Sequence, residues 1–361
     1  MTETRIALPR AVFTAEERTL VSFGALRASV FRYPSGIEAV RLANARGAVV
    51  VLPFFGQMIW RAGFDGVDLT MQSMFPTPRA SADITGTYGC FAFHSGLLAN
   101  GVPGAGDSHP VHGEFPCLAL DDAALEAGEG EEGPYLRLVS TVDHARGFGP
   151  HYRATPTVTL TAETRFTIAM AVENLSYRPM PLMYMCHINF AFVPGGEILQ
   201  PLAYAPERTV IRRAVPAHVT PTPAYLARIE ALAADPARMA KLDQPGDYDP
   251  EQVFYLRGLG MDAEGLTHLM LRRPQGDGFT IAYRTAVFPK TVRWILANPD
   301  QSVAAFALPA TAEPEGFTAE SRKGNVRTLA PGARAAFSVR AGYVDHQAAA
   351  ALVGTIAAMQ A

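Results

Sequence analysis

The chain has few cysteines, few tryptophans and no excess of charge of either sign. Cys90, Cys117 and Cys186 are an odd three in 361 residues, and none forms a C-x-x-C pair. That excludes a disulfide framework and fits single buried thiols in a reducing compartment. Lys and Arg number 31 against 34 Asp and Glu, a formal net charge of −3, so the basic footprint of a nucleic-acid binder is missing. No apolar run reaches the roughly 18–20 residues that cross a bilayer, and Met1-Thr2-Glu3-Thr4-Arg5 lacks the apolar stretch of a secretion signal. A G-x-x-x-x-G-K-[ST] loop and a G-x-S-x-G elbow are also absent. G-E-G-E-E-G at 128–133 matches a dinucleotide loop by letter only, since its carboxylates would repel a pyrophosphate, and G-V-P-G-A-G at 101–106 lacks the strand–turn–helix setting. What remains is a soluble, cytoplasmic protein with no nucleic-acid and no membrane partner.

Hydrophobic residues at 48% and charged residues at 18% exclude a disordered chain. The 31 glycines and 28 prolines are spread along the sequence, which favours short strands and loops over long helices. Strand-like runs recur at 25–33, 47–53, 135–142, 157–160, 166–173, 182–192, 268–272, 279–283, 303–308 and 335–343. Alternation in Thr157–Leu160 and Arg165–Ile168 predicts an antiparallel hairpin turning at 161–164. No β-then-helix alternation appears, so a doubly wound sheet is excluded and the class is mainly β, antiparallel. Helix is expected in a 222–242 insertion, opened by Thr222 before Pro223 and divided at Pro236, and in a C-terminal helix over 345–361 capped by Asp345. Acidic 126–132 reads as a solvated surface loop. The whole of 1–361 reads as one domain.

Two stretches carry chemistry. Phe91–Phe115 gathers His94, His109, His112, Asp107 and Glu114 in a Gly- and Pro-rich run with little helix or strand pattern. Binding residues concentrate on loops held by a rigid scaffold. In M-P-L-M-Y-M-C-H-I-N-F-A-F, at 180–192, His187 and Asn189 interrupt an apolar strand and share one face. A buried His and Asn need partners, so this face carries either a satisfied polar network or the wall of a ligand cavity.

H-P-V-H-G-E-F at 109–115 resembles the His-Gly motif of aldose 1-epimerases, the galactose mutarotases, and C-H-I-N-F at 186–190 resembles their single-His strand. G-Q-M-I-W at 56–60, the His-Gly loop and L-A-P-G at 329–332 are similar to the DUF4432 branch of that superfamily. The resemblance, spanning about residues 40–345, implies a large antiparallel β-sandwich, the galactose mutarotase-like supersandwich, with a few short helices. It implies a small-molecule carbohydrate as partner and no cofactor. In mutarotases a His protonates the ring oxygen while a carboxylate takes the anomeric hydroxyl's proton, the ring opens, and reclosure gives the other anomer. By motif, His187 matches the general acid and His112 the second active-site His. The family's base, a Glu on a late strand, falls at Leu308 in A-L-P-A-T. Glu313 is then the displaced-base candidate, with Glu114 and Glu251 as others. Substrate contacts are expected from His109, Glu114, Asn189, Glu251, Arg79 and Trp294.

Two alternatives stay open. His112, Glu114 and His187, with His109 or His94, carry ligand types suited to a divalent metal that would assist a keto-sugar isomerisation or elimination. A carbohydrate-binding protein that kept the sandwich and lost its base is the other. The sequence leaves the sugar and a homodimer undecided.

Overall fold

A computed structural model describes residues 3–216 and 219–360. The alternating segments grow into long strands: His151–Leu160 and Arg165–Asn174 pair antiparallel around the turn at 161–164, as their period predicts. They belong to a nine-stranded antiparallel sheet. Its order is Thr4–Ala7, Asp122–Gly130, Gly133–Ala145, His151–Leu160, Arg165–Asn174, Arg334–Val344, Gly278–Arg284, Leu266–Arg272 and Glu197–Leu199. A thirteen-stranded sheet packs against it. Its middle runs Gln252–Leu256, Lys290–Ala297, Ser302–Ala310, Met180–Ile188, Ala92–Leu97 and Ile59–Phe64. One cluster of buried apolar side chains, drawn from Leu8 through to Tyr343, fills the space between the sheets.

The middle strands of the larger sheet are buried on both faces, which is why Met180–Ile188 and Ser302–Ala310 read as nearly unbroken apolar runs. Tyr184, Cys186 and Ile188 enter the core between the sheets, while Met185 and His187 point the other way. Cover for that second face comes from the segment around 70–90, the His-rich loop, the insertion around 212–251 and the turn at 298–301. The insertion holds the helix Pro223–Ala234, capped by the Thr222 hydroxyl on the Tyr225 N–H, and then a short 3-10 turn, Pro236–Met239, beyond the break at Pro236. The helix His346–Ala358 closes the chain, capped by Asp345 as expected.

Two local expectations are corrected. Residues 126–130 are not a loop, because they complete the strand Asp122–Gly130, and only the turn at 131–132 stands outside it. Glu126 tolerates this buried place because it pairs with Arg5 and Arg137. The His-rich stretch also begins as a strand, Ala92–Leu97, paired with Met180–Ile188. Its alternation was hidden because every residue in it is buried. The three cysteines are unpaired, and among the described residues no helix is long and apolar enough to cross a membrane.

Candidate functional site

Between the larger sheet and its cover lies a cavity of about 510 Å³. Its floor is set by strand alternation: Met185 and His187 from one strand, Leu308 from the next, then Val292, Trp294 and Leu296, then Val253. A β-bulge keeps that alternation productive. Between Val292 and Trp294 the pairing shifts from Leu308 to Ala305, so Arg293 opposes two residues and its guanidinium turns into the core, donating to the Phe306 carbonyl and Gln200.

The polar floor centres on His187, which is 3% exposed. The Asn189 amide nitrogen donates to the Cys90 carbonyl (3.0 Å), leaving its Oδ1 to accept from His187 Nδ1 at 2.8 Å. In the neutral ring the proton therefore sits on Nδ1 and Nε2 offers a lone pair. Nε2 lies 3.3 Å from the Tyr88 hydroxyl, which donates to it. Phe93 stacks on the ring, with centroids 4.5 Å apart and planes at 13°. Burial, with His112 alongside, holds the imidazole well below its ordinary pKa against the pull of Asn189. Burial also pushes the Tyr88 phenol well above its ordinary value, helped by Cys90 and Glu251.

His112 stands edge-on to His187, centroids 4.9 Å apart. Its backbone is left-handed, φ +64°, and is followed by Gly113 at φ +81°. A β-carbon at Gly113 would sit 2.2 Å from the Ala99 carbonyl oxygen, so the turn demands glycine. The His112 N–H donates to the Gly101 carbonyl, its own carbonyl accepts from Gly96, and Nδ1 meets the Ser95 hydroxyl at 3.1 Å. Ser95 in turn donates to Asn100. Burial pushes His112 down to about 4, with Glu251 opposing.

Facing the imidazoles is Glu251. Its carboxylate accepts from Trp294 Nε1 and from Arg212, each at 2.8 Å. Arg212 also approaches Glu315 at 3.7 Å, and Tyr255 donates its hydroxyl to Glu315. Trp294 and Tyr88 pack edge to face, 5.6 Å between centroids, and close the ring of aromatics around His187. Two imidazoles, a phenol, an indole and a paired carboxylate thus share one water-poor pocket, a set able to move protons between adjacent oxygens.

Of the residues singled out from the sequence, the fold brings His187, His112, Glu251 and Trp294 to this cavity, with Asn189 behind His187. The others go elsewhere. Glu313 is ion-paired with Arg257 and, at 2.8 Å, with Lys323. Burial alone would raise its carboxyl, but Lys323 and Arg257 outweigh that and hold it below the usual range. Its carboxylate is therefore engaged behind Pro314, outside the residues that line the cavity. Glu114 turns inward, accepting the N–H groups of Leu97 (2.9 Å) and Leu98 and the Tyr152 hydroxyl (2.8 Å). His109 and Asp107 stitch the loop to the helix Phe317–Arg322: His109 Nε2 accepts from the Phe317 N–H, and Asp107 from both donors of Thr318. Arg79 is exposed, its guanidinium over Phe75, which itself lines the cavity. His94, one residue on from Phe93, falls on the core face and meets the Tyr184 hydroxyl at 2.8 Å. Consequently His112, Glu114 and His187 do not converge, and among the described residues no group of three or more His, Cys, Asp or Glu is placed to hold a metal ion.

Sequence reading missed Tyr88, Arg212 and Glu315. Tyr88 lies in an irregular T-Y-G-C segment, and Arg212 is one of two adjacent arginines, so neither carried a motif.

The family model for a domain of unknown function, DUF4432, matches residues 34–342. A candidate aldose 1-epimerase from Klebsiella pneumoniae subsp. pneumoniae superposes with a TM-score of 0.79 at 15% identity, covering 100% of this chain and 96% of that one. A galactose mutarotase-like protein from Clostridium acetobutylicum gives 0.56 at 11% identity, covering 92% and 99%. Another from Lactobacillus casei gives 0.52 at 12%, covering 84% and 99%. Comparison with curated proteins finds no match. The shared fold is the mutarotase-like sandwich.

Proposed function

The chain belongs to the DUF4432 family, and from that premise we propose that it is an isomerase of the aldose 1-epimerase type, interconverting the anomers of a sugar by ring opening and reclosure. The observation that carries this reading is the Tyr88 hydroxyl set 3.3 Å from the unprotonated Nε2 of a buried, neutral His187.

His187 Nε2 accepts the anomeric hydroxyl's proton as the bond from the anomeric carbon to the ring oxygen breaks, and the Tyr88 hydroxyl gives its proton to that oxygen. The open aldehyde rotates, and reclosure on the other face reverses both transfers. Each proton goes back to the group that gave it, so Tyr88 and His187 end the cycle neutral and no net charge is left in the cavity. A neutral acid–base pair suits this place, because isolated charges are costly in an apolar cavity. The resemblance makes His187 an acid. Here the fixed tautomer makes it accept first and donate on the return. Asn189 holds that tautomer, and His112 faces the ring oxygen from the side. Glu251, steadied by Arg212 and Trp294, accepts from sugar hydroxyls on the side of the cavity facing the imidazoles, while Leu308 holds the position that aligns with the family's Glu. Trp294 offers its face to the sugar's C–H surface.

Exchange spectroscopy by NMR tests the reading. Anomer exchange above the buffer rate is expected, lowered about 10²-fold or more in Tyr88→Phe and His187→Gln with the fold retained. A bound sugar whose anomers exchange no faster than in buffer would favour the binding-protein reading that Leu308 suggests.

A further inference from the structure

Tyr88 reaches His187 from a stretch of chain without regular pairing. The 3-10 turn Ile84–Thr87, capped by Asp83, ends just before it, and the strand Ala92–Leu97 begins after Phe91. Carbonyls in such a stretch need donors from outside it, and three consecutive ones take them from three different elements. The Tyr88 carbonyl accepts from Gln301 Nε2 at 3.3 Å, the Gly89 carbonyl from Arg61 Nη1 at 2.8 Å, and the Cys90 carbonyl from Asn189 Nδ2 at 3.0 Å. Arg61 reaches furthest. Its Nη1 also donates to the Trp60 carbonyl at 3.1 Å, and its Nη2 to the Pro76 carbonyl at 3.4 Å. One guanidinium thus ties both limbs of the cover segment to the strand Ile59–Phe64. A β-bulge puts it there: pairing shifts from Val50–Arg61 to Val51–Ile59, which leaves Trp60 as the extra residue, packed with Val50 and Phe93 on the cover side. The limbs meet closely where Arg61 holds them. A β-carbon at Gly89 would lie 2.5 Å from the Ser73 hydroxyl and 2.9 Å from the Phe75 carbonyl oxygen.

We propose that Arg61 is a positioning residue for the Tyr88 hydroxyl, holding the cover segment at the depth from which the phenol reaches His187 Nε2. The aromatic neighbours do not set that depth. Phe93 and Trp294 each meet the Tyr88 ring edge to face at 5.6 Å. Such contacts persist over centroid distances of about 4.5–7 Å and so tolerate sliding. The hydroxyl contact, at 3.3 Å, does not: a shift of about 1 Å removes it. Backbone carbonyls anchored by a planar, two-pronged donor fix the segment where ring packing leaves it free. The use made of that hydroxyl rests on the epimerase reading, whereas the contact itself is independent of it.

The test is nitrogen NMR of the histidine rings in the full chain, with anomer exchange of free aldohexoses read on the same samples. The His187 Nε2 signal, assigned with His187→Gln, reports whether that nitrogen accepts a hydrogen bond, and Tyr88→Phe gives its place without one. Arg61→Met is expected to move the signal most of the way to that place. Arg61→Lys, whose ammonium cannot span both carbonyls, should move it part of the way. Glu313→Gln, destabilising but outside the cavity lining, should leave it unmoved. In Arg61→Met, kcat should fall about tenfold or more with KM within about twofold. A wild-type signal in folded Arg61→Met, or in Arg61→Lys if Arg61→Met does not fold, overturns the proposal. So does a signal that moves equally in Glu313→Gln, one that Tyr88→Phe leaves unmoved, or an unchanged kcat beside a shifted signal. The expected shifts in a wild type that exchanges no anomers uphold the positioning and overturn the epimerase reading.

Discussion

At the scale of single residues, the proposed proton transfer turns on which atom of His187 carries the proton, and that is decided by Asn189 and the Cys90 carbonyl behind it. The pH dependence follows. A neutral His187 is the working form, and its pKa lies well below the ordinary His value, while His112 is pushed down to about 4. Activity should therefore stay level as pH falls through about 6.5 and be lost only well below it, as His187 and His112 take up protons. An inflection at 6.5–7 in kcat/KM against pH would contradict the burial argument. Glu313 gives the converse prediction. Because its carboxylate is spent on Lys323 and Arg257, Glu313→Gln should leave kcat within about twofold while lowering stability by roughly 2 kcal/mol in urea titration. A large loss of kcat at unchanged stability would return Glu313 to catalysis. His187, His112, Glu251 and Trp294 were legible in the sequence because a polar or aromatic residue broke an apolar run or matched a motif. Tyr88 and Arg212 were not, since they reach the cavity from irregular cover segments whose spacing encodes no direction. Glu114 misled because it stands beside His112 in sequence, yet the left-handed backbone at His112 and Gly113 turns the two side chains apart.

Among the elements, period-two alternation explains most of the arrangement. It sends Phe93 to the cavity and His94 to the core, and Met185 and His187 to the cavity with Cys186 between them in the core. The hairpin at 151–174 and both helices were legible for the same reason, alternation or a capped start. Acidic 126–130 was not, because composition suggested water where Arg5 and Arg137 in fact compensate Glu126 within a strand. The bulge at Arg293 was equally hidden, since one extra residue in a continuous apolar run leaves no trace in its pattern. The His-rich loop is the element most exposed to test. Its turn requires φ +81° at Gly113 with no room for a β-carbon. Gly113→Ala should cost about 2 kcal/mol or more and displace His112, seen as a lower urea midpoint together with loss of turnover. Full activity at wild-type stability would show that the loop does not position His112.

At the scale of the whole molecule, three histidines buried among the described residues, His94, His112 and His187, make the sandwich acid-sensitive. Burial lowers His94 to about 3 and His112 to about 4, and holds His187 well below its ordinary value. The unfolded chain protonates them near 6.5 and the folded chain does not. Their contribution is fully present above that value and is lost as pH falls towards the folded pKa values, at about 1.4 kcal/mol per pH unit for each site. Urea titrations at pH 7 and pH 5 should differ by several kcal/mol, and His94→Phe, on the core face, should narrow that gap. Equal stability at the two pH values would show that these imidazoles protonate within the fold. The central claim itself is that a neutral Tyr88–His187 pair opens and recloses a sugar ring. The most direct measurement is NMR exchange spectroscopy on free aldohexoses with the wild-type protein and Tyr88→Phe, both checked for binding. The account predicts enzyme-dependent anomer exchange in the wild type, reduced about 10²-fold or more in Tyr88→Phe with binding retained. Exchange unaffected by removing that hydroxyl, or a bound sugar with no exchange in the wild type, would contradict it.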